Sequence, residues 1–308
     1  MNEADRADLR KAVDGIRRMG ALFDDDILAR SYALYLPLQR RAPKDGVLVH
    51  RDLAYGGDPR HRLDVFVPEK APGGPAPIVV FFHGGGYIGG ERSPVKGLIY
   101  DNVPTFFARQ GMVGVNATYR LAPAHKWPSG GEDVGCVVEW LRANAARFGG
   151  DPQRIFLLGH SAGATHAATW TFMRKIHGAA GPRIAGAVLI SGVYAALHPD
   201  YSAAQPRPNQ FAYYGDDVSR WSAMWPFDHL QAGHPPVFIV SAEYEPYYFA
   251  WPSVALADAL VRCDQRMPAF RVLPDHNHVS SVLQVNSAVD DLGPEMLRFI
   301  GRHSFGAW

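Results

Sequence analysis

The sequence predicts an α/β architecture, a largely parallel sheet covered by helices on both faces. Two observations carry that reading. From Pro77 onward, short unbroken apolar runs alternate with helical stretches, and the runs lack the in–out alternation of a sheet with one wet face. The chain has 308 residues, 47% hydrophobic and 20% charged. That is apolar material for one large domain or two small ones, at roughly 150 residues per domain.

The first forty residues place Leu9, Val13, Ile16 and then Ile27, Leu28, Tyr32, Leu34 and Leu36 at helical spacing. They precede every strand and read as a helical appendage. Residues 47–55 and 63–67 alternate in polarity around Gly56-Gly57-Asp58-Pro59, a hairpin signal. Buried strands are expected at 78–82, 112–115, 155–158, 187–190 and 237–240, and helices over 98–109, 131–147, 162–177 and 251–264. Residues 194–235 break this rhythm with Pro, Trp, Tyr and His, and read as an irregular excursion over the sheet edge.

Charge narrows the function classes. Thirty-one Lys and Arg against 30 Asp and Glu leave a net charge of +1, so neither a nucleic acid nor a membrane surface has electrostatic support as a partner. The two cysteines, Cys136 and Cys263, cannot form a disulfide framework and read as buried or half-buried thiols in a reducing compartment. The N-terminal residues lack a signal peptide's apolar core, and no apolar run approaches the ~18 residues that span a bilayer. A soluble cytoplasmic protein is expected.

Gly159-His160-Ser161-Ala162-Gly163 fits G-x-S-x-G. Five residues alone are a weak signal, but this motif follows a predicted strand and opens a predicted helix, as a nucleophile elbow requires. Such a turn tolerates only small flanking residues. It lifts the Ser161 hydroxyl above the strand ends, and the following helix N-terminus offers backbone N–H groups to a developing oxyanion. The plain alternative is an ordinary turn with a capping serine. His83-Gly84-Gly85-Gly86-Tyr87 follows the strand at 78–82. Three consecutive glycines cost backbone entropy, and a loop that aims N–H groups at a substrate oxygen gives them a reason. Gly85 and Gly86 are the expected donors, with Ala162 as a third; a flexible turn is the alternative.

These motifs, with Tyr119-Arg120-Leu121-Ala122-Pro123 and Trp127-Pro128 leading to Glu132-Asp133 between them, occur in an order that resembles the hormone-sensitive-lipase family of carboxylesterases. The resemblance covers residues 60–175 closely and continues more loosely to 300. It implies an α/β-hydrolase fold with an eight-stranded, mostly parallel sheet and a helical cap. It also implies ester hydrolysis with no cofactor. Residues 1–45 would form an N-terminal cap segment and 46–308 the hydrolase domain, with 194–235 contributing to the cap. Three positions depart from the family pattern. His160 stands where Asp is usual, Glu245-Pro246 replaces Asp-Pro, and His278-Val279 replaces His-Gly. Gly-His-Ser-Ala-Gly-Ala and the non-Gly residue after the histidine also resemble arylformamidases.

A serine hydroxyl needs a base, and the base needs a carboxylate to orient it. In this fold they follow the nucleophile in the order acid, histidine. The family pattern places the base on His278, with His276 as the alternative. Glu245 occupies the acid position, with Glu243 as its rival. Asp216 and Asp217 read as loop or cap residues, and Asp133 and Arg120 as structural. A His-x-His pair can bind metal, but no third ligand of suitable spacing is near, so no metal is expected. Tyr87, Tyr194, Phe211, Tyr214 and Tyr244 are expected to line a confined apolar pocket. The expected substrate is a small-molecule ester, short-acyl or aromatic. An arylformamidase or amide hydrolase with the same triad is the first rival, and a non-catalytic ligand-binding homologue the second. A homodimer is left open.

Overall fold

The computed structural model describes residues 1–70, 73–195 and 207–304. Helices α1 (Glu3–Met19) and α2 (Asp25–Arg41) come first, then strands β1 (Val47–Ala54), β2 (Arg62–Pro68) and β3 (Ala76–Phe82). Helix α3 (Asn102–Arg109), β4 (Val113–Ala117), α4 (Ser129–Asn144), β5 (Gly150–His160), α5 (Ala162–Phe172), α6 (Arg174–His177) and β6 (Gly186–Ile190) follow. The remainder is α7 (Pro208–Tyr214), β7 (Val237–Tyr244), α8 (Tyr247–Asp264), β8 (Ala269–Asn277), α9 (Ser280–Leu283) and α10 (Gly293–His303).

The strands form one eight-stranded sheet in the order β1-β2-β4-β3-β5-β6-β7-β8. Strand β2 pairs antiparallel with both of its neighbours, and every pair from β4 to β8 is parallel. Continuous apolar strands are what a sheet buried on both faces demands. Ile78, Val80 and Phe82 enter one core cluster with Val134, Val137 and Leu256 from α4 and α8. Val79 and Phe81 enter the other, with Phe107 from α3 and Met296 and Ile300 from α10. The strands and the four predicted helices are found, and the 47–55/63–67 hairpin pairs as expected. Helix α10 was not expected.

Three readings change. The N-terminal helices are integral to the fold: Ala12, Tyr35 and Leu38 belong to the core cluster beside α3 and α10. Asn2 and Asp24 cap the starts of the two helices, accepting N–H bonds from Asp5 and Ile27 at 2.8 Å. Within 194–235, residues 196–206 lie outside the described residues. The rest carries α7 and two 3₁₀ turns, Val218–Met224 and Pro226–His229, so the segment is more regular than its composition suggested. Both cysteines are free, but Cys136 is exposed and only Cys263 is half-buried. Among the described residues no helix is long and apolar enough to cross a membrane.

Polar groups inside the fold are paired or kept neutral. Asp133 is fully buried and accepts from the Arg120 backbone N–H at 2.7 Å, from Arg120 Nε at 2.8 Å and from His61 Nε2 at 3.1 Å. It ties α4 to the loop after β4, the structural role expected of both residues. Burial drives four imidazoles below the ordinary histidine value of 6.5: His83 and His276 to about 4, and His160 and His166 to about 3.

Asp133→Ala strips three donors of their acceptor, so it is expected to cost about 3 kcal/mol, read as a lowered urea midpoint at constant m. The imidazoles set an acid limit. The unfolded chain binds protons near 6.5 and the folded rings only near 3 to 4, so unfolding takes up protons between those limits. Their contribution is complete above pH 6.5 and is lost as pH falls toward 4. Urea midpoints are expected to be level above pH 7 and to drop steadily below 6; a level midpoint down to pH 4.5 would contradict this.

Candidate active site

Ser161 sits where β5 turns into α5, with φ 55° and ψ −122°. That left-handed backbone is costly for a non-glycine residue and persists only when the surroundings impose it. They do so through close backbone packing. A Cβ on Gly163 would lie 2.2 Å from the Phe82 carbonyl oxygen, and one on Gly159 would lie 2.4 Å from that of Gly163. The Ser161 N–H donates to the Ile190 carbonyl at 2.9 Å, anchoring the turn to β6.

The glycine loop after β3 folds over the turn. Gly85 has φ 143°, and a Cβ there would lie 2.0 Å from the Gly89 carbonyl oxygen, so only glycine fits. The His83 ring stacks on Tyr119 at 4.5 Å, donates from Nδ1 to the Gly84 carbonyl at 2.6 Å and accepts from Thr118 Oγ1 at 3.2 Å. Asn209 of α7 donates to the Gly86 carbonyl at 3.0 Å. With its carbonyls held, the loop leaves the N–H groups of Gly85 and Gly86, and that of Ala162, without an acceptor among the described residues.

His278 lies on the loop after β8, fully buried. Its Nδ1 contacts Glu245 Oε1, so Nδ1 carries the proton and Nε2 presents a lone pair. Nε2 has no hydrogen-bond partner among the described residues. Glu245 is anchored by its other oxygen, which accepts from Ser191 Oγ at 2.6 Å and the Ala242 N–H at 3.1 Å. The extra methylene of Glu relative to Asp is thereby accommodated. Phe249 stacks on the imidazole at 3.8 Å and 15°, and the edge of Phe23 approaches it at 4.7 Å.

The rivals are placed elsewhere. Glu243 points to the surface and accepts the Asp275 N–H at 2.7 Å. The His276 Nδ1 lies between the hydroxyls of Ser280 at 3.0 Å and Tyr35 at 3.3 Å. His160 donates from Nε2 to the His278 carbonyl at 2.9 Å, with the two rings 4.9 Å apart. A neutral donor thus supports the His278 loop from the position next to the serine.

Ser161, Ala162, Gly84, Gly85, Gly86, His160 and His278 line one cavity of 1260 Å³. It is roomier than the confined pocket expected from the aromatic content. Of the five expected pocket residues, Tyr87 lines it and the other four do not. Tyr194 is fully buried in the core, its hydroxyl accepting the Gly192 N–H at 3.0 Å. Phe211 and Tyr214 pack with Trp221 behind Tyr87, while Tyr244 packs against Ile16, Met19 and Ile27 of the N-terminal hairpin. Aromatic content marked the neighbourhood but not which rings faced the void. Phe23 and Ser191 were missed altogether. Ser191 directly follows the C-terminal end of β6, the strand end where ligands bind in open α/β sheets, and that position was the available signal. Phe23 offered none, since it reaches His278 across 255 residues of sequence.

The comparisons with known proteins agree with this geometry. The family model described as "alpha/beta hydrolase fold" matches residues 79–280. Esterase LipC of Mycobacterium tuberculosis is 38% identical over 131 residues, 41% of this chain and 32% of that protein. The gibberellin receptor GID1 of Oryza sativa subsp. japonica is 26% identical over 230 residues, 72% of this chain and 63% of that protein. The chain therefore spans less than two thirds of these curated relatives. The crystal structure of esterase B from Lactobacillus rhamnosis superposes with a TM-score of 0.71 at 19% identity, covering 97% of this chain and 96% of that one. The elbow, the glycine loop, the eight-stranded sheet and the family match lead to one conclusion: the chain belongs to the α/β-hydrolase fold family.

Proposed function

We propose that the chain is a serine carboxylesterase acting on short-acyl or aromatic small-molecule esters, with Ser161 as nucleophile, His278 as base and Glu245 as the acid. The observation that carries this reading is the state of His278. Its Nδ1–H is committed to a buried, doubly anchored carboxylate, and its bare Nε2 belongs to the residues lining the same cavity as Ser161. The resemblance of the chain to LipC supports the same activity.

In the first half-reaction, Nε2 takes the hydroxyl proton as Oγ bonds to the ester carbonyl carbon. The negative charge moves to the carbonyl oxygen, toward the N–H groups of Gly85, Gly86 and Ala162, where one such donor is worth about 100- to 1,000-fold in rate. The imidazolium is held by Glu245 and covered by the Phe249 face, a cation–π contact that also excludes water. It passes its proton to the leaving alkoxide as the carbon–oxygen bond breaks. Water then repeats the sequence on the acyl-enzyme and releases the acid.

Substrate preference follows from the walls. Behind Tyr87, which stacks on Tyr213 at 4.6 Å, the aromatic cluster is filled solid. The open side of the cavity is rimmed by exposed Asp24, Asp25 and Glu91 and by Arg207. A long alkyl chain would have to lie among those charges. The N-terminal hairpin within residues 1–45 and the α7 part of the 194–235 segment supply the rest of these walls beside the loop after β3, and together act as the cap.

Ser161→Ala is expected to lower hydrolysis of p-nitrophenyl butyrate by at least about 10,000-fold, and to abolish covalent labelling by an organophosphonate, while the fold persists. A folded wild-type protein that resists labelling would make it a binding protein instead, as the receptor among its relatives is by name. Across an acyl series, C2–C6 esters are expected to turn over faster than C12–C16 esters. N-formylkynurenine in the same panel tests formamide cleavage, and a preference for it would replace the ester assignment.

A further inference from the structure

The segment that carries His278 is bracketed by unfavourable backbone, at Asp275 near the end of β8 (φ 61°) and at Asn286 beyond α9 (φ 69°). Short polar residues tolerate that region, but they need partners to stay in it. Partners from outside this segment come from several elements, among them Asn102 of α3, His160, Glu243 and Glu245, and a further set comes from the N-terminal hairpin. Arg17 of α1 donates to Asp275 at 2.7 Å, and Gln39 of α2 donates to the carbonyls of Leu283 and Val285 at 2.6 and 2.9 Å.

Two contacts reach the segment next to the base itself. Asn277 Oδ1 accepts the N–H groups of Val279 and Ser280 at 3.2 and 2.9 Å, which wraps the turn around His278. Those two donors fix the amide orientation, so Nδ2 must face Ser31 of α2, whose hydroxyl accepts it at 3.0 Å. On the other side, Tyr35 of α2 meets His276 Nδ1, which is shared with Ser280 Oγ; that oxygen also accepts the Asn277 N–H at 3.0 Å. The whole network is buried. Phe23, in the turn between α1 and α2, completes it by setting its ring edge against the imidazole and lying 5.8 Å from Phe249.

We propose that the N-terminal hairpin is a positioning device for the catalytic base, in which Ser31 and Tyr35 hold the turn around His278 and Phe23 holds its ring. The hairpin is then more than a wall of the pocket. A cap that swung open as a lid would break the Ser31–Asn277 and Tyr35–His276 contacts and release the base, so this hairpin stays closed during turnover. The inference rests on the esterase reading above, since it assigns a role to His278.

The test uses the full chain with Ser31→Ala, Tyr35→Phe and Phe23→Ala, and Leu22→Ala as a control, Leu22 being exposed in the same turn. The first two remove a single oxygen and keep the packing, so they are expected to fold; the urea midpoint checks this for all four. A displaced base loses rate at the chemical step, so kcat for p-nitrophenyl butyrate is expected to fall about 10-fold per variant with KM within about two-fold. The rate of organophosphonate labelling at Ser161 falls in parallel, because it needs the same base. Ser31→Thr, which keeps the hydroxyl, restores kcat, and Leu22→Ala leaves it unchanged. Folded variants with wild-type kcat, or losses confined to KM, overturn the proposal. A wild-type protein that neither labels nor hydrolyses esters defeats the esterase reading instead, so the two failures are distinguishable.

Discussion

The close approach of backbone to backbone beneath Ser161 is the constraint on which the rest of the site depends. Gly163 lies so near the Phe82 and His83 carbonyls that no side chain fits between them. That contact joins the end of β3, the end of β5 and the first turn of α5 into one rigid block. The serine and the glycine loop are therefore set by main-chain geometry, and side-chain rotamers play little part. Main-chain positions carry little conformational freedom once a parallel sheet has formed, which suits a site whose donors must be in place before charge develops.

Around that block, the protein handles charge by exclusion. His83, His160 and His276 all lie within reach of the loops that form the site, and burial keeps them neutral. Neutral rings can serve as directed donors and acceptors without adding a field that would compete with the His278–Glu245 pair. His160 illustrates the gain. From the position before the serine, it supplies a donor to the His278 carbonyl and adds no negative charge behind the serine. Glu245 is the buried carboxylate facing His278, and it is fully hydrogen-bonded.

The N-terminal hairpin meets the segment after β8 at the site. Helix α1 lies against β8 and α2 against α9, while Ser161 and the glycine loop come from the middle of the sheet. His278 is thus held on one side by Glu245 and Phe249, and on the other by the hairpin that precedes the first strand. Polar anchoring at Ser31 and Tyr35 replaces the apolar sliding contact expected of a mobile lid.

What the sequence determined by itself was whatever short-range chemistry encodes. Apolar runs set the strands, and three glycines in a row marked the loop after β3. Gly159 and Gly163 around Ser161 marked the elbow, and chain order placed the acid near the end of β7 and the histidine near the end of β8. Each signal is local because backbone conformation and strand burial depend on neighbouring residues. The tertiary structure alone decided which of two adjacent carboxylates and which of two nearby histidines face each other. It also decided that Tyr194 and Tyr244 turn away from the cavity, and that Phe23 and Ser31 touch the histidine loop. The contacts of Phe23 and Ser31 join segments more than 200 residues apart. Side-chain direction at such contacts is set by the shape of the assembled core, which no local pattern records.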